Sequence, residues 1–394
     1  MDRDQQPAEP RGRITDEALE KLYALVGREL RTERFVRFAT PDTLRNFVNG
    51  IGDLNPLFRD PEYATWTRWG GIVAHPCFPY ARHYPGRTRF GLPGVHGFFG
   101  GNDWRWFRQV KPGDQIACTE RVTGVEEKSS RLSSRLVLTR TETSYFNQRD
   151  ELVAVAEGWS TRHERDRLKS TADKKEDKQE QPADRPSRHD YPEAQLDEIE
   201  HLSGAEESGI RGGEPRYVED VTAGEALPAI VRGPLSHMDI TAYLIGVGRS
   251  RGSHGVLLRE AKRHPAHYFR QARGAGVEYT GLGHMQASTA KGLGAPGAYD
   301  YGPQRISWLA TLLTNWMGDL GRLVRLRAEL RGFNVIGDTT WLKGTVTSTY
   351  QDGDRWLVDC EVWGENQLGE RTMPGLATVA LPSRTAPRRD GGGS

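Results

Sequence analysis

The segment NGIGDLNPLF places an acid, an amide and a proline close together, as Asp53, Asn55 and Pro56, and follows them with the aromatic Phe58. A carboxylate in such a loop can act as a general acid or base on a bound substrate. It can also cap the loop, because Asp side chains accept hydrogen bonds from nearby backbone amides. Asn55 before Pro56 fits either an Asx-turn or a substrate contact. The loop is therefore a candidate reaction site, and both uses of its polar residues stay open.

Two histidines are candidate partners for this carboxylate. His75 lies in IVAHPCF, at a predicted helix start, and is either a base or a structural histidine bonded to backbone. His284 lies in GLGHMQ, a glycine-rich approach to another predicted helix, where a polar surface role is the alternative. A carboxylate and an imidazole that reach one water can activate it and return a proton, which typically accelerates a reaction about 10²–10⁴-fold. Asp53, His284 and His75 are therefore the predicted catalytic residues.

Length and composition limit the class of protein. The 394 residues suffice for two or three domains, each able to bury its own core. Because 54 basic and 53 acidic side chains nearly balance, no overall field favours nucleic acid or a membrane surface. The three cysteines are far apart and indicate neither disulfides nor a cysteine metal site.

No apolar leader or membrane-length apolar run occurs in the sequence, so we expect a cytoplasmic protein. His264 and His267 have no third ligand at a helpful spacing, so we expect no metal.

The two halves of the chain repeat each other in the same order. One block aligns at a constant shift of 226 and places Phe58 on His284. A second block aligns at a shift of 196 and places Asp53 on Arg249. The second half therefore carries about thirty extra residues, and the constant order indicates a duplicated domain.

Each half is predicted to contain a short helix, an irregular loop, a second helix and then three or four strands with alternating polar and apolar residues. The second helices are expected near Pro76 and Gly302. Helices followed by antiparallel strands define the α+β class.

The domain boundaries follow from composition. Residues 164–215 are densely charged and carry few large apolar side chains, which predicts a flexible linker. The domains are then 15–163 and 216–383. The second domain has its insertion at about 250–280, predicted to begin as an amphipathic helix and to end as a glycine-rich loop.

These motifs resemble the MaoC-like dehydratase, or (R)-specific enoyl-CoA hydratase, family, and in particular double hot-dog members with a fatty-acid-synthase-type dehydratase domain at the N-terminus. The resemblance is carried by GDLNPLF, DPEYA and RWGGIVAHP in the first half, and by GAYDYGPQRISWLATLLTNWMGD and NVIGDTTWLKGTV in the second. It implies a double hot-dog fold, in which an antiparallel sheet wraps a helix in each half. It also implies hydration or dehydration of a 2-enoyl thioester carried on coenzyme A or an acyl carrier protein, with no other cofactor.

In this family an Asp and a His of one loop handle the water and the proton, while a helix start binds the thioester oxygen. Unpaired N–H groups at a helix start carry roughly half a positive charge where negative charge develops. The first half keeps Asp53 but has Phe58 at the His position, and the second keeps His284 but has Arg249 at the Asp position. Three pairings stay open: Asp53 with His75, His284 with another carboxylate, and Asp53 with His284.

The resemblance and the basic strand also indicate substrate-binding residues, namely Asn55, Gly71, Tyr301, Gly302, Arg105 and Arg108. Arg105 and Arg108 lie among aromatic residues, where they can contact the phosphates and adenine of coenzyme A or form a solvated rim. Tyr301 can polarise a thioester together with Asp300, or pack against the sheet.

The predicted function is hydration or dehydration of an enoyl or 3-hydroxyacyl thioester of coenzyme A, with a bulky or branched acyl group accommodated by the insertion. The alternatives are a non-catalytic thioester-binding or complex-forming hot-dog protein and, less favoured, an acyl thioesterase. Acyl-CoA or an acyl carrier thioester is the expected ligand, and a homodimer is possible because hot-dog sheets commonly pair.

Overall fold

The computed structural model describes residues 13–33, 35–86, 92, 95–130, 133–164, 189–249, 252–265, 268–270 and 276–385. The elements of the first half are α1 (Asp16–Tyr23), β1 (Glu29–Leu30), α2 (Pro41–Ile51), α3 (Pro56–Arg59), α4 (Pro61–Thr65), β2 (Gly97–Trp106), β3 (Ala117–Ser130), β4 (Ser133–Phe146) and β5 (Leu152–His163). The elements that follow are α5 (Glu193–Gly209), β6 (Ala226–Arg232), α6 (His237–Gly246), α7 (His254–Arg263), β7 (Tyr268–Arg270), β8 (Val277–Tyr279), α8 (Ala287–Gly292), α9 (Gly302–Met317), β9 (Arg322–Glu329), β10 (Thr340–Asp352), β11 (Arg355–Asn366) and β12 (Arg371–Leu381).

The long strands of both halves form one antiparallel sheet in the order β1-β3-β4-β5-β2-β9-β12-β11-β10-β6. The halves join where β2 pairs with β9, with Trp104 opposite Leu326. From Pro303 onward every residue of α9 is buried, and the helix contacts strands of both halves. The predicted α+β double hot-dog fold is confirmed.

Only one of the two predicted central helices is regular. The segment after Pro76 forms a single 3-10 turn, Phe78–Ala81, instead of a helix. Pro79 and Pro85 follow closely, and proline both lacks a backbone donor and clashes with the preceding turn of a helix. The prediction of a helix near Pro76 was therefore wrong, although the segment is still buried within the first half.

The repeat is visible where α2 crosses α6. A Cβ atom on Gly50 would lie 2.8 Å from the carbonyl oxygen of Ala242, and one on Gly246 would lie 2.7 Å from that of Asn46. The residues that the second sequence shift aligns therefore contact each other across the two halves.

Part of the predicted linker is folded. Within residues 164–215, α5 buries Ile199 against Val231 and Trp341, and Glu206 accepts a hydrogen bond of 2.8 Å from Arg232. Residues 165–188 lie outside the described part of the chain. The prediction of flexibility was wrong for 193–209, because a few well-placed contacts hold a segment whose average composition is polar.

The insertion begins with α7, as predicted, and continues with the paired strands β7 and β8. No helix in the described part of the chain is long and apolar enough to cross a bilayer.

Candidate active site

The Asp53 loop is shaped by two local hydrogen bonds. α2 ends at Gly52, whose φ of 70° lies in the left-handed region that glycine adopts readily. Oδ1 of Asp53 then accepts a bond of 2.8 Å from the amide of Asn55, and Oδ1 of Asn55 accepts one of 3.1 Å from the amide of Leu57. Both side chains therefore cap the loop through their Oδ1 atoms. Oδ2 of Asp53 takes no part in this capping and can bind other groups.

Oδ2 of Asp53 meets groups from two other segments. The hydroxyl of Thr311, on α9 of the second half, donates to it over 2.8 Å. Nε2 of His75 lies 3.5 Å from the same oxygen and 3.4 Å from Oγ1 of Thr311. The Asp53 and His75 side chains have no solvent-exposed area. Of the three predicted pairings, the structure brings together Asp53 and His75.

The protonation of this pair follows from its contacts. The backbone amide of Cys77 donates to Nδ1 of His75 over 3.1 Å, so Nδ1 is an acceptor. Burial lowers the pKa of His75 to about 3, so the ring is neutral and carries its proton on Nε2. Burial raises the pKa of Asp53, against the hydrogen bonds from Asn55 and Thr311. Because the Thr311 hydroxyl donates its proton to Asp53, its Oγ1 accepts the hydrogen bond from Nε2 of His75, and Thr311 links the two side chains.

Phe58, at the position of the family histidine, covers this pair. It is 4% exposed, and its ring meets the His75 ring edge-on at 5.4 Å between centroids. The position thus supplies apolar shielding to His75 and no hydrogen bond to Asp53.

A pocket between the two halves reaches His75, while Asp53 lies behind the lining. Its lining includes Asn55, Phe58, Trp69, His75, Trp106, Arg108, Thr314, Met317, Asp319, Arg322 and Leu323. Arg108 is exposed and forms an ion pair of 3.2 Å with Glu151. The lining contains no described residue of the insertion, so the predicted reshaping of the acyl pocket by residues 250–280 is not supported.

Four of the six predicted substrate-binding residues lie outside this lining, and two of these four, Arg105 and Gly71, belong to the first half. Arg105 is exposed on β2, between the buried Trp104 and Trp106. Gly71 lies in the turn before His75 and is half-buried. Asn55 and Arg108, in contrast, do line the pocket.

His284 occupies a different environment. Its Nδ1 donates to the carbonyl oxygens of Tyr299 and Asp300 over 2.9 and 3.1 Å, and its ring stacks on Tyr301 at 3.7 Å. A Cβ on Gly302 would lie about 2.5 Å from the Phe99 ring, so apolar side chains cover the start of α9. His284, Tyr301 and Gly302 thus lie together at that helix start, and none of them lines the pocket with His75.

Asp300 is a buried carboxyl beside this helix start. Its Oδ2 lies 2.9 Å from Nε of Arg305, and the side chain has no exposed area. Burial raises the pKa of Asp300 to about 7, although the Arg305 charge opposes the shift.

The second-half counterpart of Asp53 has a structural environment. Arg249 forms a buried ion pair with Glu33 of the first half, and its guanidinium lies 3.2 Å from the centre of the Tyr84 ring. Next to it, Nε2 of His83 lies 2.8 Å from a carboxylate oxygen of Glu120. Arg249 therefore joins the two halves and supplies no counterpart of the Asp53 carboxylate.

Sequence reasoning missed Thr311 and Asp319. Both come from the second half, Thr311 within α9 and Asp319 just after it. The available signal was the presence of three polar residues, Thr311, Thr314 and Asn315, in the otherwise apolar stretch from Trp308 to Met317. Among the described residues, no group of three or more His, Cys, Asp or Glu side chains could hold a metal ion.

Comparison with known families and proteins agrees with the double hot-dog fold described above. The model of the FAS1-like dehydratase domain region matches residues 24–156. UPF0336 proteins of Thermobifida fusca and Streptomyces avermitilis are 27% and 24% identical over 89 and 91 residues. Those segments are 21% and 22% of this chain, and they span only 59% and 61% of the relatives' own lengths.

Solved structures match over nearly the whole chain. One, described as a MaoC-like dehydratase, has a TM-score of 0.59 and 16% identity and covers 92% of this chain and 99% of its own. A conserved hypothetical protein of Mycobacterium tuberculosis, described as having a double hotdog fold, has a TM-score of 0.53 and 14% identity and covers 89% and 96%.

The fold and the site together define a double hot-dog protein. Residues 24–156, in its first half, match the FAS1-like dehydratase domain region, and the whole chain has a fold similar to that of a protein described as a MaoC-like dehydratase, in agreement with the resemblance of its motifs.

Proposed function

We propose that the protein is a hydratase or dehydratase acting on an enoyl or 3-hydroxyacyl thioester of coenzyme A. The observation that carries the proposal is the approach of Asp53 and His75, 3.5 Å apart, with His75 lining a pocket between the halves. The dehydratase-domain match covers the half that holds both residues, which supports the reaction class.

The chemistry requires one group that first accepts and then returns a proton. In hydration, the oxygen of water bonds to C3 of the enoyl group while a proton bonds to C2. The Asp53 carboxylate accepts the proton that water loses and returns it to C2, so no net proton is consumed. Burial raises the pKa of Asp53 and makes its carboxylate a stronger base. The Thr311 hydroxyl, which itself accepts from His75, holds Oδ2 in position.

The rest of the pocket suits an acyl thioester. Trp106, Met317 and Leu323 offer an apolar surface to an acyl chain, bulky or branched chains included. Arg108 and Arg322 line the same pocket, and guanidinium groups bind phosphates such as those of coenzyme A.

The test is turnover of a panel of linear, branched and long-chain enoyl-CoA thioesters, followed by the absorbance of the conjugated thioester. Asp53→Asn should lose about 10²–10⁴-fold in kcat/KM, because the proton acceptor is removed. Asp42→Asn, which changes an exposed carboxylate of α2, is the matched control and should keep full activity. Full activity of Asp53→Asn would contradict the assignment.

A non-catalytic thioester-binding protein is the second candidate. The observation that favours it is the complete burial of Asp53 and His75 beneath Phe58. Calorimetric binding of acyl-CoA by the wild-type protein, without turnover of any enoyl-CoA in the panel, would establish this alternative.

A further inference from the structure

Asp319 is held rigidly where α9 ends. The chain leaves the helix at Gly318, whose φ is 68°, and the Asp319 amide then donates to the carbonyl oxygen of Gly212 over 2.9 Å. The Asp319 carbonyl oxygen accepts a bond of 3.1 Å from the Trp69 indole, and its Oδ2 accepts one of 2.6 Å from the Tyr63 hydroxyl. Trp69 and Tyr63 belong to the first half, so both halves fix this carboxylate.

The other carboxylate oxygen of Asp319, Oδ1, has no hydrogen-bond partner among the described residues. Asp319 is 4% exposed, and its Oδ1 is buried without a hydrogen bond from any described residue. A buried acceptor left unpaired costs about 1–3 kcal/mol, more when it is charged, so such groups in folded proteins are rare. Asp319 also lines the pocket that contains Asn55 and His75. The unpaired oxygen therefore belongs to a side chain of the proposed ligand pocket.

The charges around the pocket suit an ionised acceptor. Burial raises the pKa of Asp319, and the Tyr63 hydrogen bond and the Arg68 charge oppose that rise. Arg68 forms no ion pair within 4.0 Å among the described residues. Its positive charge therefore lowers the pKa of Asp319 from a distance and does not form a hydrogen bond with Oδ1.

We propose that Oδ1 of Asp319 binds the ligand in this pocket by accepting a hydrogen bond from an N–H or O–H group of an acyl thioester. The inference rests on the proposed function. A thioester of coenzyme A offers two sources of such a donor, the amide groups of its pantetheine arm and the hydroxyl of a 3-hydroxyacyl group. Asp319 would then bind substrate from the second half, while Asp53 and His75 act from the first.

Calorimetric titration separates these sources. Butyryl-CoA, which has no acyl hydroxyl, is titrated into the wild-type protein, Asp319→Asn and Tyr63→Phe. 3-Hydroxybutyryl-CoA is titrated into the same three proteins in an Asp53→Asn background that prevents its conversion. Weaker binding of both ligands by Asp319→Asn identifies the pantetheine amide, and weaker binding of the hydroxyacyl ligand alone identifies the hydroxyl.

We expect Asp319→Asn to weaken binding of at least one ligand about tenfold or more, since the lost bond involves a charged acceptor. In turnover the same variant should raise KM with little change in kcat. Tyr63→Phe removes the partner of Oδ2 only, and its Kd should stay within about threefold of the wild-type value. Melting temperatures confirm that each variant is folded.

Two results would overturn this inference and leave the proposed function standing. The first is that Asp319→Asn binds both ligands as tightly as the wild-type protein does. The second is that Tyr63→Phe loses as much affinity as Asp319→Asn, which would make Asp319 only a structural partner of Tyr63. If the wild-type protein binds neither thioester, the proposed function fails and this inference fails with it.

Discussion

Nε2 of His75 lies 3.5 Å from Oδ2 of Asp53, and the hydroxyl of Thr311, from the other half of the chain, bonds to that same oxygen. In the proposed mechanism, this pairing takes the place of the one that the family motif puts within a single loop, where this chain has Phe58. The proposed reactivity of Asp53 then depends on a residue of the second half.

Thr311→Val should therefore change the pH dependence of turnover. The Thr311 hydrogen bond stabilises the ionised form of Asp53. Its loss raises the Asp53 pKa further, so the acid limb of kcat/KM should move to higher pH. Thr314→Val is the control, because Thr314 lines the pocket but donates to the carbonyl oxygen of Thr311. Identical pH profiles for both variants and the wild-type protein would show that Asp53 does not set the acid limb.

Arg249→Ala should destabilise the fold. The substitution removes Arg249 from its buried ion pair with Glu33, and breaking a buried pair in this way typically costs about 3–5 kcal/mol in the free energy of unfolding. Arg121→Ala breaks the exposed pair with Glu142 and should cost about 0–1 kcal/mol. Urea denaturation of the two variants measures the difference, and equal losses would argue against a structural role of the Arg249 pair.

Gly50→Ala should weaken the contact between α2 and α6. The new Cβ would lie 2.8 Å from the Ala242 carbonyl oxygen, so backbone must move, at a cost of about 1–3 kcal/mol. A Cβ on Gly204, in α5, would have no neighbouring atom within 4 Å, and Gly204→Ala should stabilise by about 0.5–1 kcal/mol. Thermal unfolding compares the variants. A Gly50→Ala protein as stable as the wild type would mean that the helices can separate without cost.

The buried carboxyl of Asp300 predicts a pH-dependent stability. Its pKa is raised by burial from 3.8 to about 7, so between these values the folded state keeps a proton that the unfolded chain has lost. The contribution of Asp300 to the free energy of unfolding is then fully present below about pH 4 and is lost as the pH rises through 7, by a few kcal/mol.

Asp300→Asn, which does not titrate, tests this expectation. Relative to the variant, the wild-type protein should be most stable near pH 4 and should lose that advantage by about pH 8. Denaturant titrations at about pH 4, 6 and 8 measure the difference between the two proteins. A difference that stays constant with pH would show that Asp300 does not titrate in this range.

The features that were predicted correctly depend on local patterns. Alternating polar and apolar residues specify strands, and the order of motifs showed the duplication that Gly50 and Gly246 confirm by contact. The prediction of a helix near Pro76 was wrong because it followed the order of elements in the repeat. The residues of the segment itself, Pro79 and Pro85, disfavour a regular helix. The linker was wrong at α5 because average composition does not report single contacts such as Ile199 with Trp341.

By itself, the sequence determined the fold class, the duplication, and one departure from the family motif in each half, Phe58 and Arg249, since these are properties of residue types in order. Only the tertiary structure decided that Asp53 meets His75, that Thr311 of the second half bonds to Asp53, and that Asp319 lines the pocket while His284 does not. The reason is that the site lies between two halves distant in sequence, and packing of α9 against the first half sets which side chains meet there.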